Sequence, residues 1–246
     1  MIFQIDNLKF ELSSPFDISI GMHSGFGQVN AWYAPPFRIS PVKMEGFVGS
    51  TKLGGSVNFM NFQCNPHGNG THTECLGHIT KEDYFVNECV KEYFYLAEVI
   101  SVYPTLLENG DKIIDAKHIE AMVSHQGTAR GIVIRTLPND GEKMARQYTE
   151  TNPPYITTEA MQLIVDYGFD HLMIDTPSVD REKDEGKLAC HHIFWNYPNH
   201  PQTHRSITEL IYVPDSVKDG LYLLQNQIVN IRMDAVPSRP LLYKPL

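Results

Sequence analysis

The chain has 246 residues, of which 42% are hydrophobic and 20% charged, so it can build a sizeable core in one large domain or two small ones. Its formal net charge of -9 argues against nucleic acid or an anionic membrane as partner, because both demand basic surface. No run approaches the roughly 20 apolar residues of a membrane span. The start Met1-Ile2-Phe3-Gln4-Ile5-Asp6 lacks the basic end and long apolar stretch of a secretion signal, so a cytoplasmic protein is expected.

No repeat, low-complexity run or linker interrupts the chain, which predicts one continuous domain over 1–246. Phe16-Asp17-Ile18-Ser19-Ile20 alternates like a strand, and Trp32-Tyr33-Ala34-Pro35-Pro36-Phe37 reads as an aromatic loop, since prolines end regular pairing. Gly55 to Met60 predicts a strand leading into a histidine-rich segment. Phe94 to Val102 is apolar and rich in aromatic and β-branched residues, a buried strand stopped by Pro104. Asp115 caps a short helix through Ile119 and Met122. Gly131 to Thr136 is a second buried strand, followed by the turn cluster Pro138-Asn139-Asp140-Gly141.

The clearest helix begins after Tyr155, capped by Thr157 or Thr158. Ala160, Leu163, Ile164 and Tyr167 form its apolar face, and Gly168 stands where a left-handed terminal residue belongs. His171 to Thr176 follows as a strand, and this order of strand, helix and strand predicts an α/β fold. Gly220 to Gln225 reads as a further strand. The Pro-rich tail from Pro237 to Pro245 is expected to lie across the surface.

Four cysteines (Cys64, Cys75, Cys89, Cys190) lack any C-x-x-C pair, so neither a disulfide scaffold nor a cysteine zinc site is suggested. The 11 histidines are more informative. His67, His72 and His78 form one group, and His191 and His192 a second, with His200 and His204 soon after. His23, His118, His125 and His171 stand alone and are read as surface or satisfied core residues.

In His67-Gly68-Asn69-Gly70-Thr71-His72-Thr73-Glu74-Cys75-Leu76-Gly77-His78, imidazole and carboxylate supply the ligand set of a zinc or manganese ion without a thiolate. Alternate residues of an extended chain point the same way, so His72 and Glu74 can grip one ion. The glycines permit close backbone approach. A histidine-rich surface loop with flexible glycines is the competing reading, and the second histidine group downstream favours the metal. Cys75 reads as a small buried thiol rather than a ligand or nucleophile.

These residues resemble the cyclase family of metal-dependent hydrolases, which includes bacterial kynurenine formamidase and isatin hydrolase and whose hallmark is His-x-Gly-Thr-His-x-Asp-x-Pro-x-His. Gly70-Thr71-His72-Thr73-Glu74 and His78 keep its core. Ile174-Asp175-Thr176-Pro177-Ser178-Val179-Asp180 is similar to the family's Asp-Thr-x-Ser-x-Asp stretch, and Cys190-His191-His192-Ile193-Phe194 to its second histidine segment. Ser206-Ile207-Thr208-Glu209-Leu210 resembles the Glu-Asn-Leu element, and Asp234 to Pro240 the C-terminal Pro-x-Arg. The matches run in family order from about residue 17 to residue 240.

The resemblance implies a mixed, partly barrel-like β-sheet flanked by helices, and a homodimer or larger homo-oligomer with pockets near the subunit contact. It makes His67, His72 and Glu74 ligands of one divalent ion, with Glu74 and Glu209 bridging to a second ion that His192 completes. His191 is the competing assignment. His78 matches the catalytic histidine, and Trp32 falls near an aromatic of the substrate pocket. Asp175 and Asp180 are expected to be structural or to orient a ligand ring. The implied activity is hydrolysis of a C–N bond in a small amide, formamide or cyclic amide by a metal-activated water. A lactone or ester hydrolase, or a metal-dependent binding protein without turnover, are the rivals.

The departures from the pattern bear on the pocket. One extra residue separates His67 from Gly70, Glu replaces Asp at 74, Leu76 or Gly77 stands in for the proline, and Thr208 for the usual Asn. The stretch from Phe194 to Arg205 carries an aromatic insertion, placed either near the pocket or out in solvent or a subunit contact.

Overall fold

The computed structural model describes residues 1–5 and 7–246. Its centre is a closed ring of seven strands: β1 (His72–Glu74), β2 (Phe94–Val102), β3 (Gly131–Thr136), β4 (His171–Ile174), β5 (Ser206–Glu209), β6 (Gly220–Ile228) and β7 (Ala235–Tyr243). The order around the ring is β6-β2-β3-β4-β5-β1-β7, and β7 returns to β6. Strands β2 to β5 run parallel to one another, whereas β1, β6 and β7 pair antiparallel with their neighbours.

The parallel strands are apolar on both faces because both are covered. Inside the ring, Ala97, Val99, Val133, Met173 and Leu224 pack with Ile18. Outside it, Ile100, Ile132, Ile134, Leu172, Ile174 and Ile207 meet residues from the helices Ala116–Met122, Thr158–Asp166 and Ala189–Trp195. The mixed α/β class and the helix-flanked sheet agree with the sequence reading, and the sheet closes fully. No helix among the described residues is long and apolar enough to cross a membrane.

Local signals act as expected in two helices. The Asp115 carboxylate accepts from His118 N in a reciprocal cap. Thr157 accepts from Ala160 N, and Gly168 follows with φ +84°. Three expectations need correction. The strand before the histidine segment is Met60–Gln63, paired with Arg38–Pro41, rather than 55–60. Only Phe16–Asp17 of the first predicted strand enters the sheet, against β7. The Pro-rich tail is no surface strap, because residues 235–243 form β7, with Val236 and Leu242 fully buried. Only Pro237 and Pro240 lack a ladder donor there, so the remaining residues sustain the pairing.

Candidate metal centre

Strand register assembles the first part of the site. Antiparallel pairing sets His72 opposite Glu209 and Glu74 opposite Ile207, so His72, Glu74 and Glu209 share the outer face with Ile207. Thr73 and Thr208 point the other way, and their hydroxyls meet at 2.8 Å inside the ring, with Asn226 Nδ2 donating to Thr73 at 3.1 Å. Thr208 thus holds β5 to β1 directly behind the site.

His67 comes from the single helical turn Pro66–Asn69, which the Asn65 side chain caps by accepting from Gly68 N. Gly68 has to be glycine, because a Cβ there would collide with Ala34 and the Ala31 carbonyl. The short helix Leu76–Ile79 brings His78, and Gly77 within it lies against the Tyr84 carbonyl with no room for a side chain. His191 arrives from the helix Ala189–Trp195, which packs on the outer wall.

Glu74, fully buried, is the hub. Its Oε1 accepts from His191 Nε2 at 3.1 Å, while Oε2 lies 3.3 Å from His67 Nδ1 and 3.9 Å from His78 Nε2. His72 Nδ1 donates to the Gly70 carbonyl at 3.0 Å, which leaves Nε2 as a bare lone pair 3.5 Å from Glu209 Oε2. Glu209 Oε1 accepts from Val179 N at 3.0 Å. Donor atoms of His67, Glu74 and His78 lie within 4.8 Å of one another, as do those of His72, Glu74 and Glu209.

Charge is strongly perturbed here. Burial opposes ionisation of Glu74, yet His78, His191 and His67 hold its carboxyl well below the usual range. Burial also works against a charged His67, but Asp234 and Glu74 outweigh it and push the imidazole up to about 10. His191 is raised to about 10 in the same way, with Asp180 and Glu74 overcoming its burial. Protons on these rings balance clustered carboxylates, the role a divalent cation fills when bound.

A metal fits this donor set. His72 Nε2 and Glu74 Oε2 are buried with no hydrogen-bond partner, a costly state that a coordinate bond removes. Both are hard or borderline donors suited to zinc or manganese.

The structure therefore brings together His67, His72, Glu74, His78 and Glu209, all singled out in the sequence. His192 is the correction. Its Nδ1 faces the Tyr197 carbonyl at 3.1 Å and its ring packs on Tyr197, away from the cluster. His191 stands in the cluster because Asp180 grips its ring Nδ1 at 2.6 Å and accepts from its backbone N at 3.2 Å. Neighbours on a helix cannot face the same way, so fixing one ring excludes the other. Trp32 sits at φ 60°, about a third exposed at 36%, on the loop whose Ala31 N donates to Gly68 O.

Asp180 orients His191 as expected, whereas Asp175 does not touch the cluster. It accepts from Lys143 Nζ at 2.8 Å and from Thr136 N and Oγ1 at 2.9 Å, a buried structural tie. Sequence reasoning gave Asp234 no role, yet it contacts both His67 and His78. A cavity of about 710 Å³ at the ends of β2 to β4, lined by Tyr103, Thr136, Lys143 and Arg146, lies apart from the cluster.

The Cyclase family model matches residues 10–181, well over half of the chain. The chain belongs to the cyclase family. Isatin hydrolase A from Labrenzia aggregata bound to benzyl benzoate has a similar structure, with a TM-score of 0.68 at 16% identity over 94% of this chain and 93% of that one. A structure described as a predicted metal-dependent hydrolase from Bacillus stearothermophilus gives 0.63 at 14% identity, over 94% and 98%. Isatin hydrolase A from Ralstonia solanacearum gives 0.66 at 15% identity, over 94% and 91%. At these identities the likeness shows a shared fold. No curated protein matches in sequence.

Proposed function

We propose that this cyclase-family protein is a metal-dependent hydrolase that cleaves a C–N bond in a small amide, formamide or cyclic amide. The observation that carries the reading is the buried, unpartnered pair His72 Nε2 and Glu74 Oε2, set among His67, His191 and Glu209. Isatin hydrolases and metal-dependent hydrolases among the similar structures support the reaction class.

His67, His72, Glu74, His191 and Glu209 would hold one or two divalent ions, with zinc the proposed metal. Glu74 turns one oxygen to His67 and the other to His191, so it would hold a cation together with either histidine. A divalent ion supplies Lewis acidity and lowers a water's pKa from 15.7 towards about 7. The chain's own groups do the rest. Glu74 and Glu209 concentrate negative charge that favours a cation, and Val179 N keeps Glu209 aimed at His72. His78 is a quarter exposed at 26%, and its Nε2 faces Glu74 Oε2 at 3.9 Å. It can hand a proton to a leaving amine, a contribution of roughly 100- to 10,000-fold.

The close grouping of His67, Glu74 and His78 donors favours a second reading, in which His78 is itself a ligand. Metal content of His78→Ala separates the two roles. The function is tested by dialysing out the metal and assaying amides, lactones and N-formyl compounds. Metal-restored amide cleavage supports the proposal, and turnover confined to lactones contradicts it.

We also propose a homo-oligomer. Every residue of Met60–Gln63 and three of the four in Arg38–Pro41 are exposed, with Ile39, Met60 and Phe62 at 50%, 45% and 63%. A two-stranded ribbon is marginal alone in water, so contact with another copy would stabilise it. Light scattering on the purified protein reads its mass directly, and a monomer contradicts the proposal.

A further inference from the structure

We infer that Asp234 is the positioning residue of this centre, one carboxylate oxygen fixing the orientation and tautomer of both His67 and His78. Its Oδ2 lies 3.0 Å from His67 Nε2 and 3.4 Å from His78 Nδ1. The opposite nitrogen of each ring faces Glu74 Oε2, at 3.3 Å for His67 Nδ1 and 3.9 Å for His78 Nε2. The two imidazoles span the gap between Asp234 and Glu74 side by side, with centroids 4.4 Å apart and planes 31° from parallel.

With a divalent ion on the Glu74 side each ring is neutral, with one N–H and one lone pair, and the Asp234 carboxylate takes the N–H. Asp234 therefore assigns opposite tautomers to the two rings. His67 donates through Nε2 and keeps Nδ1 for the Glu74 side, while His78 donates through Nδ1 and keeps Nε2 for it. Asp234 is not placed to join the ligands, because each ring stands between it and Glu74. A carboxylate behind a ligand imidazole fixes its orientation and raises its basicity.

The backbone presets this arrangement. Cys75 N donates to the Asp234 carbonyl at 3.0 Å, and the next residue, Ala235, pairs with Glu74 across β1 and β7. The carboxylate is thus carried by the ladder that carries Glu74, so the distance between the two is a property of the sheet. A surface acid that merely offsets charge would not need one oxygen shared by two rings. The side chain is 35% exposed, so its removal leaves no buried hole.

The role of His78 and the neutral tautomers rest on the metal-dependent hydrolase proposal, whereas the orientation of the two rings by Asp234 does not. The test uses Asp234→Ala and Asp234→Glu in full-length protein with ¹⁵N-labelled histidine. Zinc-loaded wild type should show His67 as the Nε2–H form and His78 as the Nδ1–H form. Asp234→Ala should lose this pattern and weaken zinc binding, read by chelator competition, by about 10- to 100-fold, with Asp234→Glu partly restoring both. An Asp234→Ala protein with the wild-type imidazole pattern and zinc affinity overturns the inference. A wild type that binds no zinc sinks the metal reading instead, and the Asp234-dependent shifts of the His67 Nε2–H and His78 Nδ1–H, present in charged and neutral rings alike, then decide alone on Asp234.

Discussion

His191 and Asp180 are joined through Nδ1 and Oδ2 at 2.6 Å, and the same ring turns its Nε2 to Glu74 Oε1 at 3.1 Å. Orientation of the downstream histidine is thus set by an acid eleven residues earlier, at a helix start where Asp180 also accepts from Cys190 N at 2.8 Å. His191→Ala should therefore lose bound metal and activity together. His192→Ala should keep both within about twofold, since ordinary substitutions away from special contacts cost little. Elemental analysis of the two variants checks this, and metal loss in His192→Ala alone would reverse the assignment.

Glu74 and His78 should separate by role. Glu74→Ala removes the shared anion and should empty the site. His78→Ala should retain the metal and lose about 100- to 10,000-fold in kcat, the usual worth of a general acid or base. Metal content and kcat measured on the same preparations decide. An empty His78→Ala site makes His78 a ligand.

How much of this was legible in the sequence depended on distance along the chain. His72, Glu74 and His78 share one short segment, so their spacing alone pointed to a centre. Glu209 followed from its resemblance element. Between His191 and His192 the sequence had no means to choose, because the deciding contact with Asp180 exists only after the helix folds back on the barrel. Asp234 was invisible for the same reason: its meaning comes from β7 pairing with β1. The fold class was readable from strand, helix and strand, but closure depended on β7, whose two prolines disguised a strand as a tail.

The metal-free protein should lose stability as pH rises. His67 and His191 are raised from 6.5 to about 10 by neighbouring carboxylates that outweigh their burial. A raised base contributes stability that is fully present below the unfolded pKa and is lost as pH climbs through the folded one. The Tm of chelated protein should fall between pH 6.5 and 10, and less so with zinc bound. Thermal unfolding across that range is the check, and a chelated Tm that rises with pH would contradict it.

Lys143 and Asp175 form a buried ion pair outside the centre, 3% and 1% exposed. Lys143→Met should destabilise the fold by about 3–5 kcal/mol, because it strands the Asp175 charge. Denaturant unfolding measures it. A loss below about 1 kcal/mol would mean that Asp175 is neutral or hydrated in the wild type.

The aromatic insertion should make N-formylkynurenine a poor substrate. Trp195 is fully buried, with its ring 5.6 Å from His191 and Nε1 donating to Arg205 O. It therefore stiffens the wall behind a proposed ligand, while His204 lies outside, paired with Asp170. A kcat/KM below about 10⁴ M⁻¹s⁻¹, under the usual enzymatic range, is expected, and about 10⁵ or more contradicts this.

The most direct measurement for the whole account is a crystal structure of protein purified without chelator, with anomalous data at the zinc edge. The account predicts a zinc ion about 2.0–2.2 Å from His72 Nε2 and from a Glu74 oxygen. Its shell should include His67 or His191, and His192 should remain on Tyr197. Strong density for an ion elsewhere, or stoichiometric protein with neither zinc nor another divalent metal at Glu74, would contradict it.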